Sequence, residues 1–156
     1  MEKTVSELQE IVAMFYSKMN GILEVEFSRK PLPNKWSKKE VVGHLIDSAQ
    51  NNLRRFIVGQ YEAIPPHIIY EQDAWVNSNN YQGAPSTDVI ALWKLINLQI
   101  CSVLRTMPKA NYEHTCNTGR GTVQLHSLSW LAEDYVKHLK HHLNQVIPGS
   151  FDITYP

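Results

Sequence analysis

Four segments of the chain repeat apolar residues at spacings of three and four, the period of an amphipathic helix. The first, from about Val5 to Ser28, places Leu8, Ile11, Val12, Phe15, Met19, Ile22 and Leu23 on one face. Gly21 lowers helix propensity by about 1 kcal/mol relative to alanine, but the apolar pattern continues past it, so one continuous helix is expected. Pro31 and Pro33 break the chain. Ser37 then opens a second helix, with Glu40 three residues later in the spacing of a capping box, and this helix runs to about Gly59. The third is expected from Ser86 or Thr87, either of which can cap it, to Met107 before Pro108. Its core face reads Val89, Leu92, Trp93, Ile96, Ile100, Val103 and Met107. The fourth spans Leu125 to Ile147, stopped by Pro148 and Gly149, with Ser127 as a candidate N-cap.

The segments between these helices carry their own signals. Tyr61 to Pro85 is long for a connector inside a compact domain, and such connectors are usually functional or partly structured. It is expected to cross the bundle, so the topology need not be simple up-down. Within it, YEQDAWVNSN reads as a short helix. Asp73, Trp75 and Tyr81 are placed to cover a cavity mouth, although pinning the loop to the bundle is the simpler role for Trp75. Between Lys109 and Gln124, the turn residues Asn117, Gly119 and Gly121 separate two short extended pieces, Tyr112 to Cys116 and Thr122 to Gln124, that read as a hairpin. The glycines lack the Gly-Lys-Ser/Thr of a phosphate loop. The expected fold class is all-α, with residues 1–156 as one four-helix-bundle domain.

Composition narrows the function classes. The formal net charge is zero, which argues against a general electrostatic grip on nucleic acid or on an acidic membrane. No apolar run is read as approaching the roughly twenty residues that span a bilayer. The start, MEKTVSELQE, lacks an apolar signal-peptide core. Cys101 and Cys116 have no Cys-x-x-Cys spacing, and reduced thiols in a cytoplasmic protein are the simplest reading. No serine sits in a nucleophile elbow, so a Ser-His-Asp triad is not supported.

The chemistry concentrates in histidines. His138 and His142 stand one turn apart on the face of the last helix that also carries Leu128, Leu131, Tyr135 and Gln145. Two histidines at that spacing can reach one metal ion. In the second helix, Val42, Leu45, Ile46, Ala49, Leu53 and Phe56 form an apolar stripe. Beside it lies a mostly polar one: Val41, His44, Ser48, Asn51 and Arg55. That polar stripe is either a solvated face or the lining of a wet cavity, and in the second case His44 is the third ligand. His141 falls off the main face, and His67, His114 and His126 read as surface residues. Three neutral imidazoles suit zinc, nickel, copper or ferrous iron and leave open coordination positions. Asp47 and Asp134 are candidate outer acceptors that orient the rings. Paired helical histidines also occur in cores and on surfaces, so the pattern alone leaves the metal reading open.

WSKKEVVGHLIDSAQNNLRRF and WLAEDYVKHLKHHLNQV together resemble the DinB-like superfamily, YfiT-type proteins included, and YEQDAWV resembles that family's connector motif. The resemblance covers essentially the whole chain. It implies an up-up-down-down type of four-helix bundle, often dimeric, so a homodimer is expected. It also implies a divalent transition metal, zinc or nickel foremost, on one histidine from the second helix and two from the last. By position these are His44, His138 and His142. Family members with assigned activity are thiol-dependent: bacillithiol S-transferases and mycothiol-dependent isomerases. The expectation is therefore a metal-dependent S-transferase that uses a low-molecular-weight thiol as cosubstrate and acts on an electrophile. Ser48, Asn51 and Arg55 are candidates to bind the thiol's polar groups. Two alternatives stand beside it: a hydrolase using metal-bound water, and a non-enzymatic stress-related bundle whose metal site is vestigial or structural. No residue pattern separates the three, and fold does not settle function.

Overall fold

The structure, a computed structural model, describes residues 1–155. Its long helices are α1 (Glu2–Asn20), α3 (Lys38–Val58), α5 (Ser86–Thr106) and α6 (Leu128–Val146). Two short helices, α2 (Glu24–Phe27) and α4 (Gln72–Asn79), and a pair of three-residue strands, β1 (Thr115–Asn117) and β2 (Leu125–Ser127), lie in the connectors. The buried side chains of the four long helices form one apolar cluster. This is the all-α four-helix bundle that the periodicity predicts.

Two helix starts follow directly from the sequence. At α3, Ser37 Oγ accepts from the Glu40 amide at 3.1 Å and Glu40 Oε2 accepts from the Ser37 amide at 2.8 Å. Both halves of the capping box are therefore made. At α6, Ser127 Oγ accepts from the Trp130 amide at 3.2 Å.

Other boundaries differ from expectation, each for a tertiary reason. The first helix does not pass Gly21. That residue caps α1, Leu23 is extended, and α2 makes a fresh turn. The break lets Phe27 enter the core fully buried while Glu24 and Glu26 reach Lys39 and Lys38 at the start of α3. Neither Ser86 nor Thr87 caps α5. Pro85 occupies the cap position, and the Ser86 amide is bonded by Glu24 Oε2 at 3.3 Å, so a side chain from a distant helix satisfies that donor. The last helix begins at Leu128 because Leu125–Ser127 pairs antiparallel with Thr115–Asn117, with Cys116 opposite His126. The hairpin thus lies C-terminal to the expected positions. Leu92, expected in the core, is 46 % exposed, and Ile90, Asn97, Cys101 and Leu104 are buried instead.

α1 and α3 each pack against both α5 and α6. The second connector crosses the bundle from end to end, as expected: the Ile68 carbonyl accepts from Arg55 near the end of α3 and the Ala84 carbonyl accepts from Lys39 at its start, so α5 begins beside the start of α3. Its α4 and the following turn, Tyr81–Gly83, pack along α3. Gly43 makes this approach feasible, because a Cβ there would fall 2.1 Å from Tyr81 Cδ2. By length and mean hydropathy, 1.4, α5 is apolar enough to span a bilayer, contrary to the reading of the sequence. Here Trp93, Ile96, Ile100 and Leu104 turn that apolarity into the bundle core.

Candidate metal centre

α3 is covered almost all round, and this decides how its polar stripe reads. His44 is 1 % exposed, and Ser48 and Asn51 are buried with it, so the stripe lines the interior rather than facing solvent. From α6, one helical turn apart, half-buried His138 and His142 turn toward His44. One ring nitrogen from each of the three lies within 4.8 Å of the others. The Nε2 atoms of His44 and His138 are 3.3 Å apart, and the ring centroids of His138 and His142 are 4.5 Å apart.

The environment keeps these rings neutral. Burial, reinforced by His142, lowers the His44 pKa to about 4. Burial and the three neighbouring imidazoles lower that of His138 to about 2. His142 is also lowered, chiefly by burial. Two side chains orient the rings. Ser48 Oγ lies 3.4 Å from His138 Nδ1. Gln145 Oε1 lies 3.3 Å from His142 Nδ1, while its amide nitrogen lies 3.3 Å from His141 Nε2. With the Gln145 oxygen accepting at Nδ1, the Nε2 lone pair of His142 is left free. His44 Nδ1 is buried without a partner among the described residues.

The expected outer acceptors have other partners. Asp47 Oδ1 accepts from Tyr81 Oη at 2.6 Å and from Asn79 Nδ2 at 2.8 Å. Its Oδ2 is buried and unpaired, and burial pushes the carboxyl up to about 6. Asp134 accepts from Tyr155 Oη at 3.1 Å. Neither carboxylate hydrogen-bonds any of the three histidines among the described residues. Both are taken up by groups from the connector and the tail, and Ser48 and Gln145 lie against the rings instead. Of the three positions expected to bind a thiol, only Ser48 borders the histidines. Asn51 donates to the Asp47 carbonyl at 2.9 Å. Arg55 donates twice to the Ile68 carbonyl, at 3.1 and 2.6 Å, and clamps the second connector to α3.

Sequence reading overlooked two aromatic walls. Trp36 lies against His44 with centroids 5.1 Å apart, and Tyr155 lies 5.6 Å from His138. Trp36 precedes the capping box, the position of a hydrophobic staple, and that was its available signal. Nothing local marks Tyr155. Trp75 packs on Tyr70 within the same connector, with ring centroids 5.7 Å apart. His67 and His114 are exposed, as expected, whereas half-buried His126 stacks on Trp130 at 3.9 Å. Both cysteine thiols are buried and shifted upward by burial, so neither is activated.

Beside the histidines opens a cleft of about 940 Å³. Trp36 and Gln145 belong to both, one side touching the imidazoles and the other lining the cleft. The histidine cluster fits a divalent ion by its donor chemistry. Three uncharged nitrogens converge with at least one lone pair fixed by its tautomer, as borderline-soft transition metals require.

The sequence profile of the DinB superfamily matches residues 8–146. A protein of Bacillus subtilis (strain 168) named "Putative metal-dependent hydrolase YfiT" is 23% identical over 150 residues, covering 93% of this chain and 81% of that protein. The solved structure of YfiT from Bacillus subtilis, a four-helix bundle of a topology described as unusual, superposes with a TM-score of 0.82 at 22% identity. It covers 93% of this chain and 82% of that one. A mycothiol-dependent maleylpyruvate isomerase superposes with a TM-score of 0.71 at 11% identity, over 91% of this chain and 59% of that one. At these identities the structural likenesses speak to the fold.

Proposed function

The chain belongs to the DinB superfamily, and from that premise we propose that it is a metal-dependent enzyme whose His44, His138 and His142 hold a divalent transition metal. The observation that carries this reading is the convergence of three neutral imidazoles, each offering a nitrogen within 4.8 Å of the others, beside an open cleft. We place it among thiol S-transferases that use a low-molecular-weight thiol against an electrophile. The fold shared with a thiol-dependent isomerase supports that assignment.

Held by His44, His138 and His142, three uncharged donors, a divalent ion would supply the positive charge that lowers the pKa of a thiol, ordinarily about 8.5. The protein's own residues prepare the site. Depressed imidazole pKa values keep the rings neutral at neutral pH, so each ring has one nitrogen with a free lone pair. Gln145 and Ser48 fix ring orientation. Trp36 and Tyr155 wall the histidines on two sides, restricting water. Asp47, through Tyr81 and Asn79, holds the second connector against α3 close to His44.

Hydrolysis is the second reading, favoured by the name of the Bacillus relative that aligns over 93% of this chain. One assay separates the two. Metal-loaded protein is supplied with monochlorobimane, with and without bacillithiol, glutathione, cysteine or coenzyme A, and in parallel with ester and amide substrates. Turnover that requires a thiol and is lost in His44→Ala is the expected result. Turnover of esters or amides without thiol replaces the transferase by the hydrolase. Full metal occupancy with neither activity returns the site to a structural role.

A further inference from the structure

The chain balances 15 basic against 15 acidic residues, but the cleft beside the histidines does not. Its walls carry Arg29, Lys30, Lys35 and Lys38 against only Glu26 and Asp73. Two of the cations are occupied: Lys38 pairs with Glu26 at 2.6 Å, and Lys30 pairs with Glu40 at 2.8 Å. Arg29 and Lys35 form no ion pair among the described residues. Arg29 is close enough to Glu26 to contribute, after Lys38, to lowering its carboxyl pKa. Asp73 is the one carboxylate of the wall without a cation of its own.

Cations on a concave wall concentrate potential and raise the local concentration of anions. A guanidinium adds a fork of donors that matches a carboxylate or a phosphate. At about 940 Å³ the cleft is within the size range of small-molecule sites. Trp36 lines the cleft and its ring also lies against His44, so one side chain borders both the cleft and the histidine cluster. We propose that this cleft binds the acidic group, carboxylate or phosphate, of a small-molecule substrate. Arg29 and Lys35 hold the anion, and the remainder of the molecule runs past Trp36 to His44, His138 and His142. That the bound molecule is a substrate rests on the proposed function; the anion site itself rests on the charge and shape of the cleft.

The test uses metal-free protein and isothermal titration with three probes: inorganic phosphate, succinate and neutral succinamide. The expected result is saturable binding of at least one anion, none of succinamide, and affinity about tenfold or more weaker in Arg29→Gln/Lys35→Gln. Both positions are exposed, so the fold is retained, which a thermal melt checks. Lys3→Gln/Lys137→Gln, on another surface, binds like the unmodified protein. Phosphate alone or succinate alone identifies the acidic group. No saturable binding, equal binding in the cleft variant, or equal loss in both variants overturns the site. The same titration in His44→Ala separates the two proposals. Anion binding there with no metal uptake by the unmodified protein removes the enzyme reading and leaves the cleft. Metal uptake without anion binding removes the cleft alone.

Discussion

Two polar groups on α6, three residues apart, Tyr135 buried and His138 half-buried, have opposite surroundings. Tyr135 Oη donates to Asn97 Oδ1 at 2.6 Å, and Asn97 Nδ2 donates to the Trp93 carbonyl at 2.8 Å. That circuit is closed, and it joins α6 to α5 in the middle of the bundle. His138, one turn on, meets two other imidazoles and a serine, and the neighbouring turn of α3 holds an unpaired His44 Nδ1 and an unpaired Asp47 Oδ2. The Trp93 indole N–H and the Ser86 hydroxyl, both on α5, also lack a partner among the described residues. Buried polar groups are normally satisfied. The difference teaches that the Tyr135–Asn97 pair answers its own hydrogen bonds within the bundle, whereas around the histidines two buried polar atoms have no partner among the described residues.

That contrast breaks first, and most strongly, at the ligands. His138→Ala and His142→Ala are each expected to reduce metal content from stoichiometric to near zero by elemental analysis while the fold persists. Full metal content in both variants would make the histidine cluster an ordinary core. At the closed end the expected outcome is reversed. Tyr135→Phe leaves Asn97 Oδ1 without its donor and lowers stability by about 1–3 kcal/mol in urea unfolding, with metal content unchanged. Gly43→Ala sets a Cβ against the Tyr81 ring and loosens the connector from Asp47. It is expected to cost about 1–3 kcal/mol, and metal affinity falls with it if the connector helps shape the site.

Acid titration sharpens the comparison further. Folded His44 has a pKa of about 4 against an ordinary 6.5, so below pH 6.5 the unfolded chain takes up a proton that the folded chain refuses. Metal-free protein therefore loses stability as pH falls from about 6.5 to 4, and His44 contributes nothing to this dependence above 6.5. Asp47 acts with the opposite sign. Pushed from 3.8 up to about 6, it contributes most below 3.8, and that contribution is lost as pH rises through 6. Denaturant midpoints of metal-free His44→Ala across this range should show a weaker acid loss than the unmodified protein; identical profiles would refute the assignment. The smallest effect is at Gln145→Ala, which frees the His142 ring without removing a ligand. Metal affinity is expected to weaken about tenfold, with unfolding unchanged.

What the sequence determined by itself is what lies within a turn or two of chain. The existence of four periodic helices, the Ser37–Glu40 capping box, the Ser127 cap and the His138–His142 spacing follow from helix geometry, which a local pattern encodes. Tertiary structure decided everything that needed a distant partner. His44 and His138 are 94 residues apart in sequence, and only the packing of α3 against α6 brings them together. The same packing turned the polar stripe of α3 inward, ended α1 at Gly21 so that α2 could meet α3, and let Glu24 bond the Ser86 amide at the start of α5. It also moved Asp47 and Asp134 from the expected imidazoles to Tyr81 and Tyr155, because a carboxylate takes whichever donors the fold brings within reach. Periodicity states which residues share a face of one helix. What faces them depends on the other helices, since burial and hydrogen bonding are properties of the pair.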